Sequence, residues 1–204
     1  MNRVLLCVLA VWALTSSPGF AADPKDLAEA AVKAAGGVDK LPKIIHWKET
    51  YFFGEKPGDK GTQREAFVAP PLAWYQNGRD IAAGNPDRTE KAYLVWVWTL
   101  APLLDKDTTL KLLPDSTLND KPIKGLRISR EKQKDIDVYF HADTKQLARI
   151  DWRNYQIDFA DWKEAEGFKF PAKAFVRRKD GKLHLRTEFQ VLEVLKELPK
   201  ELKK

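Results

Sequence analysis

Side chains able to perform catalysis are few in this sequence and lie far apart along it. The three histidines are His46, His141 and His184, and none has a His or Cys neighbour at a spacing typical of metal ligands. Each one falls on the polar side of an alternating segment, which predicts an exposed surface histidine. We therefore predict no metal site. An enzyme that uses one of these histidines or an aspartate pair is the hypothesis on function that we rank lowest.

Paired carboxylates and serine nucleophiles give equally little support for chemistry. Asp158 and Asp161 are three residues apart on a predicted strand, so their side chains point to opposite faces and should not converge. Beyond residue 21 the serines are Ser116 and Ser129, and neither lies in a Gly-x-Ser-x-Gly motif. We predict no catalytic residue, no cofactor and no enzymatic activity.

The first 21 residues have the pattern of an export signal. A positive start at Arg3 precedes the apolar run 4–14, and small residues up to Ala21 form a cleavage site. The run has eleven residues, which is too short for a membrane span. We predict a cleaved signal peptide over 1–21, a single domain over 22–204, and a periplasmic location.

Composition restricts the classes of partner and of stabilising bond. The only cysteine, Cys7, lies in the predicted signal, so the mature chain should have no disulfide, thiolate metal site or cysteine nucleophile. The 35 Lys and Arg exceed the 29 Asp and Glu by six, yet the basic residues are interspersed with acidic ones, as in 177–180, and form no single basic block. This pattern is typical of a solvated sheet face, and we predict no nucleic-acid partner.

Alternation of apolar and polar residues dominates 121–195 and predicts roughly five antiparallel strands with one buried face. Asn77-Gly78 predicts a tight hairpin. The segment 93–100 is apolar on both sides, which predicts a strand that is buried on both faces or lines a cavity. Further strands are predicted over 43–53, 62–69, 72–76 and 108–113.

One helix beyond the signal has clear start and stop signals. Asp23 can cap it, Pro24 suits its first position, and Gly36-Gly37 ends it. Its apolar stripe, which would let it lie close against a sheet, includes Leu27, Ala31 and Ala34.

Aromatic residues are the strongest sign of a binding site. Six tryptophans follow the signal, and large amphipathic rings suit the walls of an apolar ligand cavity, although for any single tryptophan core and strand packing is the favoured explanation. We predict a structural role for Trp74 and Trp162. The residues that we predict to line an apolar cavity are Trp47, Tyr51, Trp96 and Trp98.

Two segments carry a resemblance to a known family. Asp-Val-Tyr-Phe at 137–140, followed by Ala-Asp-Thr-Lys-Gln-Leu at 142–147, looks like a strand–turn–strand motif of the LolA-like, outer-membrane lipoprotein-sorting proteins. Asp-Trp-Lys-Glu-Ala-Glu-Gly-Phe-Lys-Phe-Pro at 161–171 is similar to a hairpin of that family. His141 departs from the family pattern, which usually has Asp there, and Lys145-Gln146 replaces a turn that contains glycine.

The resemblance implies a mainly β, α+β fold: a curved antiparallel sheet forms a half-open β-barrel, and the N-terminal helix packs at its mouth. It also implies a hydrophobic cavity that receives acyl chains of a lipid or lipoprotein. Our first hypothesis is therefore an exported, monomeric carrier whose N-terminal helix acts as a lid. The alternative is an envelope sensor or scaffold of the same fold that binds a partner protein, for example through an exposed sheet edge.

Overall fold

The period of two in the sequence becomes one twelve-stranded antiparallel sheet. The structure, a computed structural model, describes residues 23–54, 61–69 and 73–202, so the predicted signal peptide lies outside the described residues. The strands are β1 Ile44–Phe53, β2 Thr62–Ala69, β3 Ala73–Gln76, β4 Arg79–Asp80, β5 Thr108–Leu112, β6 Ser116–Leu118, β7 Lys121–Arg130, β8 Ile136–His141, β9 Leu147–Trp152, β10 Tyr155–Ala165, β11 Phe168–Arg178 and β12 Leu183–Leu195.

The strand order is β4-β3-β2-β1-β12-β11-β10-β9-β8-β7-β5, and β6 also pairs with β7. β1 therefore lies between β2 and β12, which joins the first strand to the last. The two ends of this path, β4 and β5, do not pair with each other, so the sheet stays half-open. This architecture confirms the predicted antiparallel half-barrel.

Tight turns fall where the sequence predicted them. Asn77 and Gly78 have φ of 52° and 74° and connect β3 to β4. Glu166 and Gly167 have φ of 51° and 85° and connect β10 to β11. The span 121–195 contains six strands, β7 to β12, rather than roughly five.

The predicted N-terminal helix is present as α1, Pro24–Ala34. The Asp23 carboxylate accepts a hydrogen bond of 2.9 Å from the backbone N–H of Lys25. The inward stripe packs against the core and against the short 3-10 helix Ala101–Leu104. At its other end, the backbone N–H of Lys169 donates to the carbonyl of Ala35 at 2.8 Å, which ties α1 to the β10–β11 turn.

A close backbone contact fixes this end of α1. Gly36 has φ +119°, and a Cβ there would overlap the carbonyl oxygen of Gly167. Gly36→Ala should lower the free energy of unfolding by about 2–3 kcal/mol, measured by urea denaturation. Gly37, with φ +94° and open space around it, is the matched control. Gly37→Ala should cost about 1 kcal/mol, and equal losses in both variants would contradict the role of the contact.

Residues 93–98 are helical, so the strand predicted over 93–100 was wrong. They belong to α2, Pro86–Trp98, and the chain then turns through Leu100 at φ 64°. The Asn85 side chain caps the helix by accepting from the N–H of Arg88 at 3.1 Å, and Pro86 occupies the first position. The helix is apolar around most of its second half because that half packs into the core of the half-barrel.

The core lies between the inward face of the sheet and the two α-helices of the described chain. The sheet contributes fully buried residues such as Ile45, Val138, Phe140 and Ile150, and α2 contributes Tyr93 and Val97. Neither helix in the described ranges has the length and apolar character needed to span a membrane.

Candidate ligand site

A cavity of about 510 Å³ opens on the concave side of the sheet, next to α2. This volume falls in the range of about 300–1,000 Å³ that is typical of small-molecule sites. Strands β1, β2, β3 and β9 to β12 contribute its walls, together with one side of α2. Its apolar and aromatic lining residues are Tyr51, Phe53, Trp74, Leu94, Trp152, Tyr155, Ile157, Val176 and Leu185.

A buried ion pair lies in the wall formed by β1 and β2. Glu49 and Arg64 are direct partners across the two strands, and the Arg64 guanidinium contacts the Glu49 carboxylate. Glu49 is only 5% exposed, and the Arg64 guanidinium also stacks over the Trp74 ring, 4.4 Å from its centroid. Burial, with a contribution from the charge of Arg88, lowers the pKa of Arg64 to about 10. Arg64 therefore stays cationic at neutral pH.

Basic residues of α2 and of the β9–β10 turn border the same cavity: Arg88, Lys91 and Arg153. Arg153 donates to Glu90 at 2.8 Å and to Asp87 at 2.8 Å, which joins the turn to α2. These hydrogen bonds lower the pKa of both carboxyl groups. Lys91 also pairs with Asp87, at 3.0 Å.

Arg88 differs from its basic neighbours. Its side chain makes no ion pair with any residue in the described part of the chain, yet it lines the cavity and is half-buried. Among the residues that the structure describes, the cavity border thus holds one cation without a compensating anion.

The histidines are partly buried, so the prediction of exposed surface histidines was wrong. His184 stacks on Tyr155, 5.4 Å between ring centroids, at the cavity wall. On the outer face, His46 lies between Glu65 and Glu193 at 2.9 and 3.3 Å. Their neighbours differ, and the described residues contain no group of three or more His, Cys, Asp or Glu suited to a metal ion.

Asp158 and Asp161 have separate ion-pair partners. Asp158 lies 3.4 Å from Arg177, and Asp161 pairs with Lys173. Asp158 is partly buried in the sheet surface, and this burial raises its pKa. The two carboxylates do not form a joint acid–base site.

Comparison with known proteins finds the same architecture. A LolA superfamily protein from Nitrosomonas europaea matches with a TM-score of 0.55 at 9% identity, over 90% of this chain and 98% of that one. A putative outer membrane lipoprotein-sorting protein domain from Vibrio parahaemolyticus matches with a TM-score of 0.51 at 9% identity, over 85% and 94%. The chain has a LolA-like fold.

A DUF1329 family protein from Desulfovibrio piger shares this LolA-like fold, with a TM-score of 0.50 at 11% identity, over 82% of this chain and 90% of that one. No protein-family model matches the sequence, and no curated protein does. At these identities the likeness describes the backbone alone, so the side chains of this chain must carry any functional argument.

The four aromatic residues predicted to line the cavity lie at different places in the LolA-like fold. Tyr51 lies on the cavity wall. Trp47 and Trp98 instead pack with Phe189 in the core, with ring centroids 5.0 to 5.5 Å apart. Trp96 packs against Tyr93, 6.0 Å away, at the far side of α2. Both Trp96 and Trp98 lie on a helix rather than on a strand, which corrects their predicted position.

The charged residues of the cavity were not predicted from the sequence, and Trp74 was predicted to have only a structural role. Trp74 is 5% exposed, and it both packs in the core and forms part of the cavity wall. One signal was available: Glu49 has the same strand phase as Trp47 and Tyr51, so it faces inward with them. An inward carboxylate requires a buried partner, which Arg64 supplies.

The predicted lid residues lie on α1, away from this cavity. Ala31 is 1% exposed in the core, while Leu27 and Ala34 are partly buried. α2, rather than α1, contributes residues to the cavity border. A bulky residue at Ala31 would therefore overpack the core in addition to shifting any lid.

Proposed function

We propose that this protein is a non-enzymatic carrier or binding protein that holds the acyl chain of a lipid or lipoprotein in the half-barrel. The observation that carries the proposal is the open cavity beside α2, with its aromatic and aliphatic walls. Burying an acyl chain contributes about 0.8 kcal/mol per methylene, so a cavity of this size can retain a chain without covalent chemistry.

The periplasm is the location that fits this role. The export pattern of 1–21 would deliver the chain there, and the similar Vibrio structure is that of a putative outer membrane lipoprotein-sorting protein domain. We further propose a monomer that exchanges its ligand with the membrane or with another envelope protein.

A second candidate is an envelope sensor or scaffold that transports nothing. The observation in its favour is the packed centre of the half-barrel, where Trp47, Trp98 and Phe189 fill the space that a long chain would need. In that case the polar outer face or an end strand of the sheet would contact a partner protein.

Native mass spectrometry of the exported protein, with analysis of its organic extract, tests the carrier role. We expect a stoichiometric acyl-bearing ligand. Leu94→Trp, which fills the cavity from α2, should lose this ligand. Leu104→Trp is the control, because Leu104 is exposed and does not line the cavity. An apo mass, with no uptake of added lipid, would contradict the carrier and favour the scaffold.

A further inference from the structure

We infer that the cavity selects amphiphiles with an anionic headgroup, a carboxylate or a phosphate, and that Arg88 contacts this headgroup. The inference rests on the proposed function, because it assigns the chemical class of the ligand to the same cavity. It follows from the charges around the cavity rather than from its apolar walls.

Cations outnumber anions among the lining residues. The bases are Arg64, Arg88, Lys91 and Arg153, whereas Glu49 is the one carboxylate among the described lining residues. Asp87 and Glu90, just outside the cavity, pair with Arg153. A neutral or cationic headgroup would find few acceptors here, and an anionic one would find several donors.

Arg88 is the cation that remains available. Arg64 contacts Glu49, Arg153 bonds to both α2 carboxylates, and Lys91 pairs with Asp87. Arg88 and Arg64 line the same cavity, and the charge of Arg88 contributes to the lowered pKa of Arg64, so the two cations repel each other there. A bound anion would offset this repulsion, and a guanidinium can bind a carboxylate or a phosphate through two parallel hydrogen bonds.

The buried cavity-lining atoms without a hydrogen-bond partner in the described structure comprise three donors and one acceptor, Oε1 of Glu49, which contacts Arg64. The Nε of Arg64 and the Nε1 atoms of Trp74 and Trp152 are buried without a hydrogen-bond partner in the described structure. Trp74 and Trp152 are 5% and 7% exposed. Buried donors without acceptors are uncommon in folded proteins, and these three belong to side chains that line the cavity.

The apolar and basic parts of the cavity adjoin each other. Leu94 follows Arg88 and Lys91 along the same side of α2, and the aromatic wall faces all three. An amphiphile could therefore place its chain between Leu94 and the sheet, with its headgroup at Arg88 near the start of the helix.

Displacement of a bound fluorescent fatty acid by ligands with one chain length and different headgroups tests the inference: palmitate, hexadecyl phosphate, hexadecanol and hexadecyltrimethylammonium, each below its solubility limit or micelle concentration. We expect palmitate or hexadecyl phosphate to bind at least tenfold more tightly than hexadecanol, with an affinity that falls as salt rises. The stronger of these two anions identifies the source as a fatty acid or a phospholipid.

Arg88→Gln should weaken binding of the preferred anion about tenfold and leave hexadecanol unchanged. Its stability should not fall, because the substitution removes a repulsion and no ion pair. Arg127→Gln is the matched control, since Arg127 bonds to Asp137 and does not line the cavity. Arg88→Glu should reverse the preference toward the cationic amphiphile.

The possible failures are distinguishable. Equal affinity for all four ligands, or an Arg88→Gln variant with unchanged selectivity, would overturn the anionic headgroup and leave the carrier role intact. Absence of binding by every ligand would overturn the carrier role and this inference together.

Discussion

Glu49→Ala should lower the free energy of unfolding by about 3 kcal/mol. The substitution leaves the Arg64 guanidinium without its anion in a wall where that side chain is 20% exposed. Burial lowers the pKa of Arg64, so its positive charge carries a desolvation cost. The Glu49 carboxylate, which contacts the guanidinium, is the group placed to offset that cost. Urea denaturation at neutral pH measures the loss, and an unchanged midpoint would show that the pair is solvated in solution.

A double substitution separates the ion pair from its packing. Glu49→Met with Arg64→Met removes both charges, keeps the side-chain length, and should recover most of the stability that either single substitution loses. If the double variant is as unstable as Glu49→Ala, the two side chains act mainly through contacts other than their mutual attraction.

Trp98→Ala should cost about 4 kcal/mol, the largest loss that we expect from one core substitution. Trp98 is 6% exposed, and its ring lies 5.0 Å from Trp47 and 5.1 Å from Phe189. Removal of the indole leaves a cavity between α2 and the sheet, because neither neighbour can fill the space alone. Thermal and urea unfolding of the variant measure the loss.

Two further substitutions test whether the loss of stability is specific to removal of the Trp98 ring from the core. Trp98→Phe should cost only about 1–2 kcal/mol and should bind lipid as the parent protein does, since Trp98 and its two ring partners do not line the cavity. Phe53→Ala removes an aromatic ring that is 60% exposed and should change stability by less than about 1 kcal/mol. A loss of lipid binding by a stable Trp98→Phe variant would restore Trp98 to the ligand site.

Local patterns in the sequence predicted the sheet well, because a strand with one buried and one solvated face alternates apolar and polar residues. The turns at Asn77-Gly78 and Glu166-Gly167 were also predictable. Both need a left-handed backbone, which glycine adopts without strain. α1 was predictable from Asp23 and Pro24 at its start.

α2 was not predicted because its apolar half carries no period. A buried helix and a buried strand look alike over 93–100, and periodicity alone cannot separate them. The deciding signals lie upstream, in the Asn85 cap and in Pro86 at the first helical position. Residues two apart on a strand share one face, but on the helix Trp96 and Trp98 do not, and they contact different neighbours.

The cavity depends on pairs that are distant in sequence, and no local pattern contains them. Arg153 meets Asp87 and Glu90 across more than 60 residues, and only the folded sheet brings the β9–β10 turn to α2. The basic residues that border the apolar cavity therefore come together only in the folded sheet.

The position of β1 between β2 and β12 has a consequence for biosynthesis. A ribosome makes β1 early and β12 last, and the two strands pair through ten residues, from Ile44 against Leu195 to Phe53 against Leu185. Until β12 is made, one edge of β1 exposes unpaired backbone groups to other chains. Products that terminate before residue 183 would keep this edge open permanently, so we expect such fragments to aggregate or be degraded rather than accumulate as smaller half-barrels.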